Sequence, residues 1–293
     1  MAGASQSRPA GGRSSCGRYP RRRVRAEEHT ITTDYGPVYY RSAPDAEPPV
    51  LYLHGAGTSS DDWIPFVERT GGIAPDLIGF GRSAKGGHLD YSPEGLAGFV
   101  ERFLEDIGVE RVRLVGHEWG AAIGLLLAAR DPARVERLVL IDAVPLLPGY
   151  RWHRIARLSR RPVIGELAMG SATRSMLARV LRGGAARPET WTEERVTTVW
   201  EHFDQGTQRA LLRLHRAAGE SRLAELGASI SELGMPTLIV WGERDPWFGP
   251  ELADRYAARL PQARIELIAG AGHWPWLDRP EVIDVVAGFL AGA

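Results

Sequence analysis

The chain has 293 residues, 44% hydrophobic, 25% charged and 8% aromatic, which can build a sizeable core and excludes a disordered, collagenous or disulfide-scaffold chain. Its formal net charge of zero hides an asymmetry: residues 1–25 carry seven arginines and no acid, against 29 basic and 36 acidic residues in the body, a balance unlike that of a nucleic-acid binder. Cys16 is the single cysteine, so no intrachain disulfide forms and a cytoplasmic location fits, while no apolar run reaches the roughly 18 residues of a membrane span.

Residues 1–25, rich in Gly, Ser, Ala, Pro and Arg, show no apolar periodicity and read as a disordered basic tail. Polar Ala26-Glu27-Glu28-His29 follows Arg21-Arg22-Arg23, so the tail is no twin-arginine signal. Arg outnumbers Lys 35 to 1 throughout the chain, which weakens any functional reading of the tail's arginines. From residue 26 onward, strand-like runs alternate with amphipathic helical stretches. That is the α/β pattern of a mostly parallel sheet flanked by helices. Strands are expected at Glu28–Thr33 and Val38–Arg41, about the turn Asp34-Tyr35-Gly36. Val50–Leu53, Gly72–Pro75, Arg111–Val115 and Val135–Ile141 follow as strands, with helices at Pro93–Ile107 and Trp119–Arg130. From about Pro145 to Leu226 the alternation gives way to helical segments. It resumes with strand Thr237–Trp241, helix Pro250–Arg259, strand Arg264–Leu267 and helix Pro280–Leu290. The organisation expected is a core of residues 26–144 and 227–293, interrupted by a helical cap of residues 145–226.

Strand Arg111–Val115 runs into Gly116-His117-Glu118-Trp119-Gly120 and then a helix. Glycines at this spacing permit a strained turn and close helix–strand packing. Here the chain resembles the α/β-hydrolase family over roughly residues 28–291. Gly116 to Gly120 matches the family's nucleophile elbow, and His54-Gly55-Ala56-Gly57 its oxyanion loop. Asp76 through Ser83 resembles the D-x-x-G-x-G-x-S segment, Asp245 the triad acid after a strand, and Gly270-Ala271-Gly272-His273 the histidine loop. The elbow departs from the usual serine: its central residue is Glu118. A carboxylate there resembles the epoxide hydrolase and haloalkane dehalogenase branch, where Asp followed by Trp is usual. A carboxylate attacks a saturated carbon to give an ordinary ester, whereas attack on an ester gives a reactive anhydride.

The resemblance implies Glu118, Asp245 and His273 as catalytic residues, the backbone N–H groups of Ala56 and Trp119 as oxyanion hole, and Trp119, Tyr150 and Trp152 at the substrate. Asp142, at the end of strand Val135–Ile141, is the rival acid. His54 and His117 read as structural, and His153, His202 and His215 as cap surface or pocket wall. Trp191 and Trp200 offer an indole donor or simple packing. Tyr150 is the cap's single tyrosine, which leaves epoxide opening short of proton donors. Ala56 stands where dehalogenases often place a side-chain halide donor. The leading expectation is an epoxide hydrolase-like enzyme whose glutamyl ester is cleaved by His273-activated water. The alternatives are a haloalkane dehalogenase, a general-base role for Glu118 in lactone hydrolysis, elimination or cyclisation, or a non-catalytic binding protein. No cofactor or metal is expected. The partner expected is a small apolar organic substrate, with no nucleic acid and no membrane, the chain acting alone or as a homodimer.

Overall fold

The structure, a computed structural model, describes residues 24–292. Most of the basic tail lies outside the described residues. Its last two residues lie within them, and the Val24 N–H donates to the Glu68 carbonyl at 3.0 Å.

Two antiparallel strands, β1 (Glu27–Thr33) and β2 (Gly36–Ala43), meet about the Asp34–Tyr35 turn. There follow β3 (Val50–Leu53), α1 (Ile64–Thr70), β4 (Gly72–Pro75), α2 (Pro93–Asp106), β5 (Val112–His117), α3 (Trp119–Arg130) and β6 (Val135–Ile141). Six α-helices come next among the described residues: α4 (Arg154–Ser159), α5 (Ile164–Gly170), α6 (Arg174–Gly184), α7 (Glu193–His202), α8 (Gln205–Ala217) and α9 (Glu220–Leu226). The chain then closes with β7 (Thr237–Gly242), α10 (Glu251–Ala257), β8 (Ala263–Ile268), α11 (Pro275–Asp278) and α12 (Val282–Leu290).

The eight strands form one sheet in the order β1-β2-β4-β3-β5-β6-β7-β8. It is parallel from β4 to β8 and antiparallel at β1 and β2, the α/β-hydrolase arrangement expected. The central strands are apolar on both faces because both are covered. β6 sends Leu138 and Leu140 to one buried cluster and Val139 and Ile141 to the other. α2 and α3 pack on the first face, α1 and α12 on the second.

Besides end shifts of one or two residues, as where β2 reaches Gly36 and Ala43 and β5 runs on through His117, four helices depart from the sequence reading. α1 has no counterpart in the sequence reading, which assigns nothing between Gly57 and Gly72; its Pro65 falls in the first turn, where proline is tolerated. α11 is too short for its period to register. α10 and α12 begin after Pro250 and Pro280 and not at them.

Candidate active site

In an open parallel sheet, chemistry collects beyond the carboxyl ends of the strands. Glu118 follows β5, Asp142 follows β6, Asp245 follows β7 and His273 follows β8. Glu118 has φ 51° and ψ −114°, a left-handed conformation that non-glycine residues rarely adopt and that marks stored strain. The strain is held from both sides. The Glu118 N–H donates to the Ile141 carbonyl at 3.0 Å, and the Glu118 carbonyl accepts from Ala122 and Val144. A Cβ on Gly120 would run into the Leu53 carbonyl, and one on Gly116 into the Ala121 backbone. The two elbow glycines are therefore what let α3 approach β3 and β5.

The turn aims the Glu118 side chain back at the loop after β3. The Ala56 N–H donates to Glu118 Oε2 at 2.6 Å, and the backbone N–H of Trp119, next in the chain, also favours the charged carboxylate. Burial nevertheless outweighs these donors and nearby His273, pushing the Glu118 carboxyl up to about 7. His54 shapes the loop. Its Nε2 accepts from the Leu77 N–H at 2.9 Å, which makes Nδ1 the donor to the Gly55 carbonyl at 2.7 Å. His117 likewise bonds backbone, with Nε2 2.8 Å from the His273 carbonyl. The Asp76–Ser83 segment braces the same region. Asp76 accepts from the Ser60 and Arg82 N–H groups, each at 2.7 Å.

His273 Nδ1 lies 2.7 Å from Asp245 Oδ2, and Asp245 Oδ1 accepts from the Trp247 and Phe248 N–H groups at 2.8 and 3.1 Å. Asp245, and not Asp142, therefore holds the imidazole. Asp142 is fully buried at φ 42°, and its Oδ1 accepts from the Gly242 N–H at 3.0 Å. Burial, reinforced by Asp245, pushes its carboxyl well above the ordinary range. A protonated Asp142 turns its hydroxyl toward the Asp245 carboxylate and so satisfies an Oδ2 that otherwise has no partner.

A cavity of about 350 Å³ opens above Glu118, lined by the β3 loop, Glu118, His273, Trp247 and Trp274 below and by α4, α5, α6 and α8 above. This volume lies at the low end for small-molecule sites. Trp119, Tyr150 and Trp152, read as substrate contacts, are not among its lining residues. They are buried behind the wall: Trp119 packs on Trp152 at 5.7 Å between ring centroids, and Trp152 on Tyr150 at 5.3 Å. The Trp152 N–H is taken by the Ala218 carbonyl at 2.8 Å. The Trp119 indole N–H and the Tyr150 hydroxyl are buried without a partner among the described residues. Trp191 packs edge-on against Trp274, and neither it nor Trp200 lines the cavity.

The cavity's polar upper wall is instead Ser159 of α4 and His215 of α8, with Ser159 Oγ 2.8 Å from His215 Nδ1. His215 Nε2 bonds no described residue. Burial lowers this imidazole to about 3, so it is neutral at pH 7. His153 stacks on Trp247, and neither it nor His202 lines the cavity. Two further acids were not singled out from the sequence. Burial pushes Asp62 up to about 7. Asp278, fully buried, accepts from Gly272 and Ala186 at Oδ2 and from Arg187 at Oδ1, at 2.8–3.0 Å. No spacing signals either. Two of the three donors to Asp278, Ala186 and Arg187, lie in a distant part of the chain.

The model of the α/β-hydrolase fold family matches residues 48–280. The chain belongs to the α/β-hydrolase family. This α/β-hydrolase is 30% identical over 283 residues to a haloalkane dehalogenase of Bradyrhizobium diazoefficiens, covering 87% of this chain and 90% of that protein. It is 23% identical over 268 residues to epoxide hydrolase 1 of Caenorhabditis elegans, covering 84% and 65%. The crystal structure of haloalkane dehalogenase DbeA from Bradyrhizobium elkani matches with TM-score 0.78 at 26% identity, covering 91% of this chain and 98% of that one. The protein is thus an α/β-hydrolase enzyme of the dehalogenase and epoxide hydrolase kind. No helix among the described residues is long and apolar enough to cross a membrane.

Proposed function

We propose that this α/β-hydrolase hydrolyses epoxides of small or medium apolar substrates, with Glu118 as attacking carboxylate and residues 145–226 as a cap over the site. The observation that carries the reading is the place of the carboxylate: Oε2 rests on the Ala56 N–H at 2.6 Å, with the Trp119 N–H also favouring the charged carboxylate, leaving Oε1 to attack. Attack forms a bond from Oε1 to a ring carbon and breaks that carbon's bond to the ring oxygen. When the Ser159 hydroxyl turns from the Ala156 carbonyl to Nδ1, the neutral His215 imidazole carries its hydrogen on Nε2 and donates a hydrogen bond to the leaving oxygen, which takes its proton from a water molecule and leaves a hydroxide. His273 then deprotonates a water that attacks the glutamyl carbonyl carbon. The Ala56 amide already touches the oxygen on which negative charge gathers, the arrangement that stabilises a tetrahedral intermediate. The ester bond breaks, Glu118 is restored and a diol leaves. The hydroxyl hydrogen of the tetrahedral intermediate passes to the departing alkoxide, the proton taken by His273 neutralises the hydroxide left by the first step, and Asp245 stabilises the imidazolium meanwhile.

The same geometry disfavours the alternatives. With its amides occupied by Glu118, the oxyanion hole cannot also polarise the carbonyl of an ester or lactone. Ala56 has no side-chain donor for a halide, and the Trp119 indole N–H does not line the cavity. A purely binding protein has no use for the His273–Asp245 pair.

The test is to trap the ester. His273→Gln, mixed with an aryl epoxide such as styrene oxide, is expected to gain the mass of one substrate on the peptide holding Glu118. Wild type turned over once in ¹⁸O-water should carry label in the Glu118 carboxylate. A turned-over substrate that leaves neither adduct nor label rules out the covalent route.

A further inference from the structure

The cavity opens through an apolar rim. Ile155 and Leu158 of α4 and Met176 and Val180 of α6 line the cavity and are also exposed, which sets them at its mouth. Leu167 of α5 and Val163 before it are each 67% exposed. Of the nine large hydrophobic side chains exposed among the described residues, seven lie between 155 and 180, so the patch is local and not the scatter found on any surface. Val163 sits at φ 67°, with the Ile164 N–H returning to the Pro162 carbonyl at 2.8 Å, a strained γ-turn in which a β-branched side chain stands in water.

The same stretch is strongly basic. From Arg151 to Arg182 there are eight arginines and one acid, Glu166, and that acid is paired with Arg216. Arg151, Arg154, Arg157, Arg161 and Arg179 are exposed and in no ion pair among the described residues. Residues 26–150 and 183–293 together hold 21 basic against 35 acidic residues. The chain's preference for arginine over lysine does not produce that contrast, because it leaves the sign of charge untouched.

Apolar side chains ringed by free guanidinium groups complement hydrocarbon lying beneath negative headgroups. The long arginine stems reach the phosphates while the apolar residues enter the acyl boundary. A second copy of this chain fits worse, since a self-complementary contact would oppose arginine to arginine. We propose that the α4–α6 face docks on an anionic lipid bilayer and sets the mouth of the cavity against it. An apolar substrate dissolved in the bilayer then enters the cavity without crossing water, although no helix among the described residues is long and apolar enough to span the membrane.

Co-sedimentation of the full chain with vesicles tests this. Binding is expected to equimolar phosphatidylcholine–phosphatidylglycerol vesicles, with partition at least tenfold weaker to pure phosphatidylcholine or in high salt. The triple variant Arg154→Glu, Arg157→Glu, Arg161→Glu and the double variant Val163→Ser, Leu167→Ser should each lose about tenfold or more. Both retain the basic residues 1–25, so binding through those residues would survive in them. Hydrogen exchange on the unaltered protein gives a readout that needs no variant: amides of residues 155–180 should slow on mixed vesicles. Failure to sediment, undiminished binding by both variants, or vesicle protection only outside residues 155–180 overturns the proposal. So does a concentration-dependent dimer that the double variant abolishes.

Discussion

Glu118 carries its carboxylate one C–C bond, about 1.5 Å, further out than an aspartate would. The structure takes up that length by seating Oε2 on the Ala56 amide. The seat is built for charge, but its surroundings resist charge, and the carboxyl rises from an ordinary 4.5 to about 7. Because the folded protein holds this proton more tightly than the unfolded chain, stability from Glu118 is full below 4.5 and is lost as pH climbs through about 7. The loss by pH 8 is on the order of 3 kcal/mol. Glu118→Gln should therefore unfold at higher urea than wild type at pH 8 and at nearly the same urea at pH 4.5. An equal offset at both pH values would show that Glu118 does not titrate in this way. The residue's position in the elbow was legible, because a tight turn between an apolar strand and a small-residue helix demands Gly116 and Gly120. Its protonation was not. That follows from the enclosure around it.

Between elements, the informative contact joins α4 to α8. Ser159 and His215 are 56 residues apart and meet at 2.8 Å over the cavity. His215→Phe should slow formation of the Glu118 adduct by about 10²-fold, the usual cost of removing one hydrogen-bond donor aimed at a developing oxyanion. Hydrolysis of a preformed adduct should keep its rate. Single-turnover mass spectrometry separates the two steps, and equal slowing of both would assign His215 to packing alone. Strands β5, β6 and β7 were legible nearly to the residue, since burial on both faces writes a continuous apolar run. The α4–α8 contact was not, because amphipathic period tells which face of a helix is apolar but not what it opposes. Tyr150 and Trp152 were expected at the substrate on the family resemblance. They directly follow the segment leaving β6, yet that segment turns them inward onto Trp119 and Phe248.

Across the whole molecule, the loop bearing His273 is laced to the segment after α6. The His273 N–H donates to the Gly184 carbonyl at 2.8 Å, and Asp278 grips Gly272, Ala186 and Arg187 together. Asp278→Ala strips the acceptor from three N–H groups, each worth about 1–3 kcal/mol when buried and unsatisfied. It should lower the melting temperature by several degrees or more and reduce kcat. A variant with unaltered melting and turnover would show that the lacing is idle. Removal of an acceptor at this site reaches two distant stretches of chain at once.

That lacing also decides how the chamber can exchange its contents. The end of the helical layer near residues 184–187 is pinned to the same strip of backbone that carries the imidazole. Any swing large enough to admit a guest must pivot there and gape at the far side, where α4 and α5 meet water. The door then turns on a post that stands beside the base, so loading and emptying leave His273 in register with Asp245, ready for the next guest.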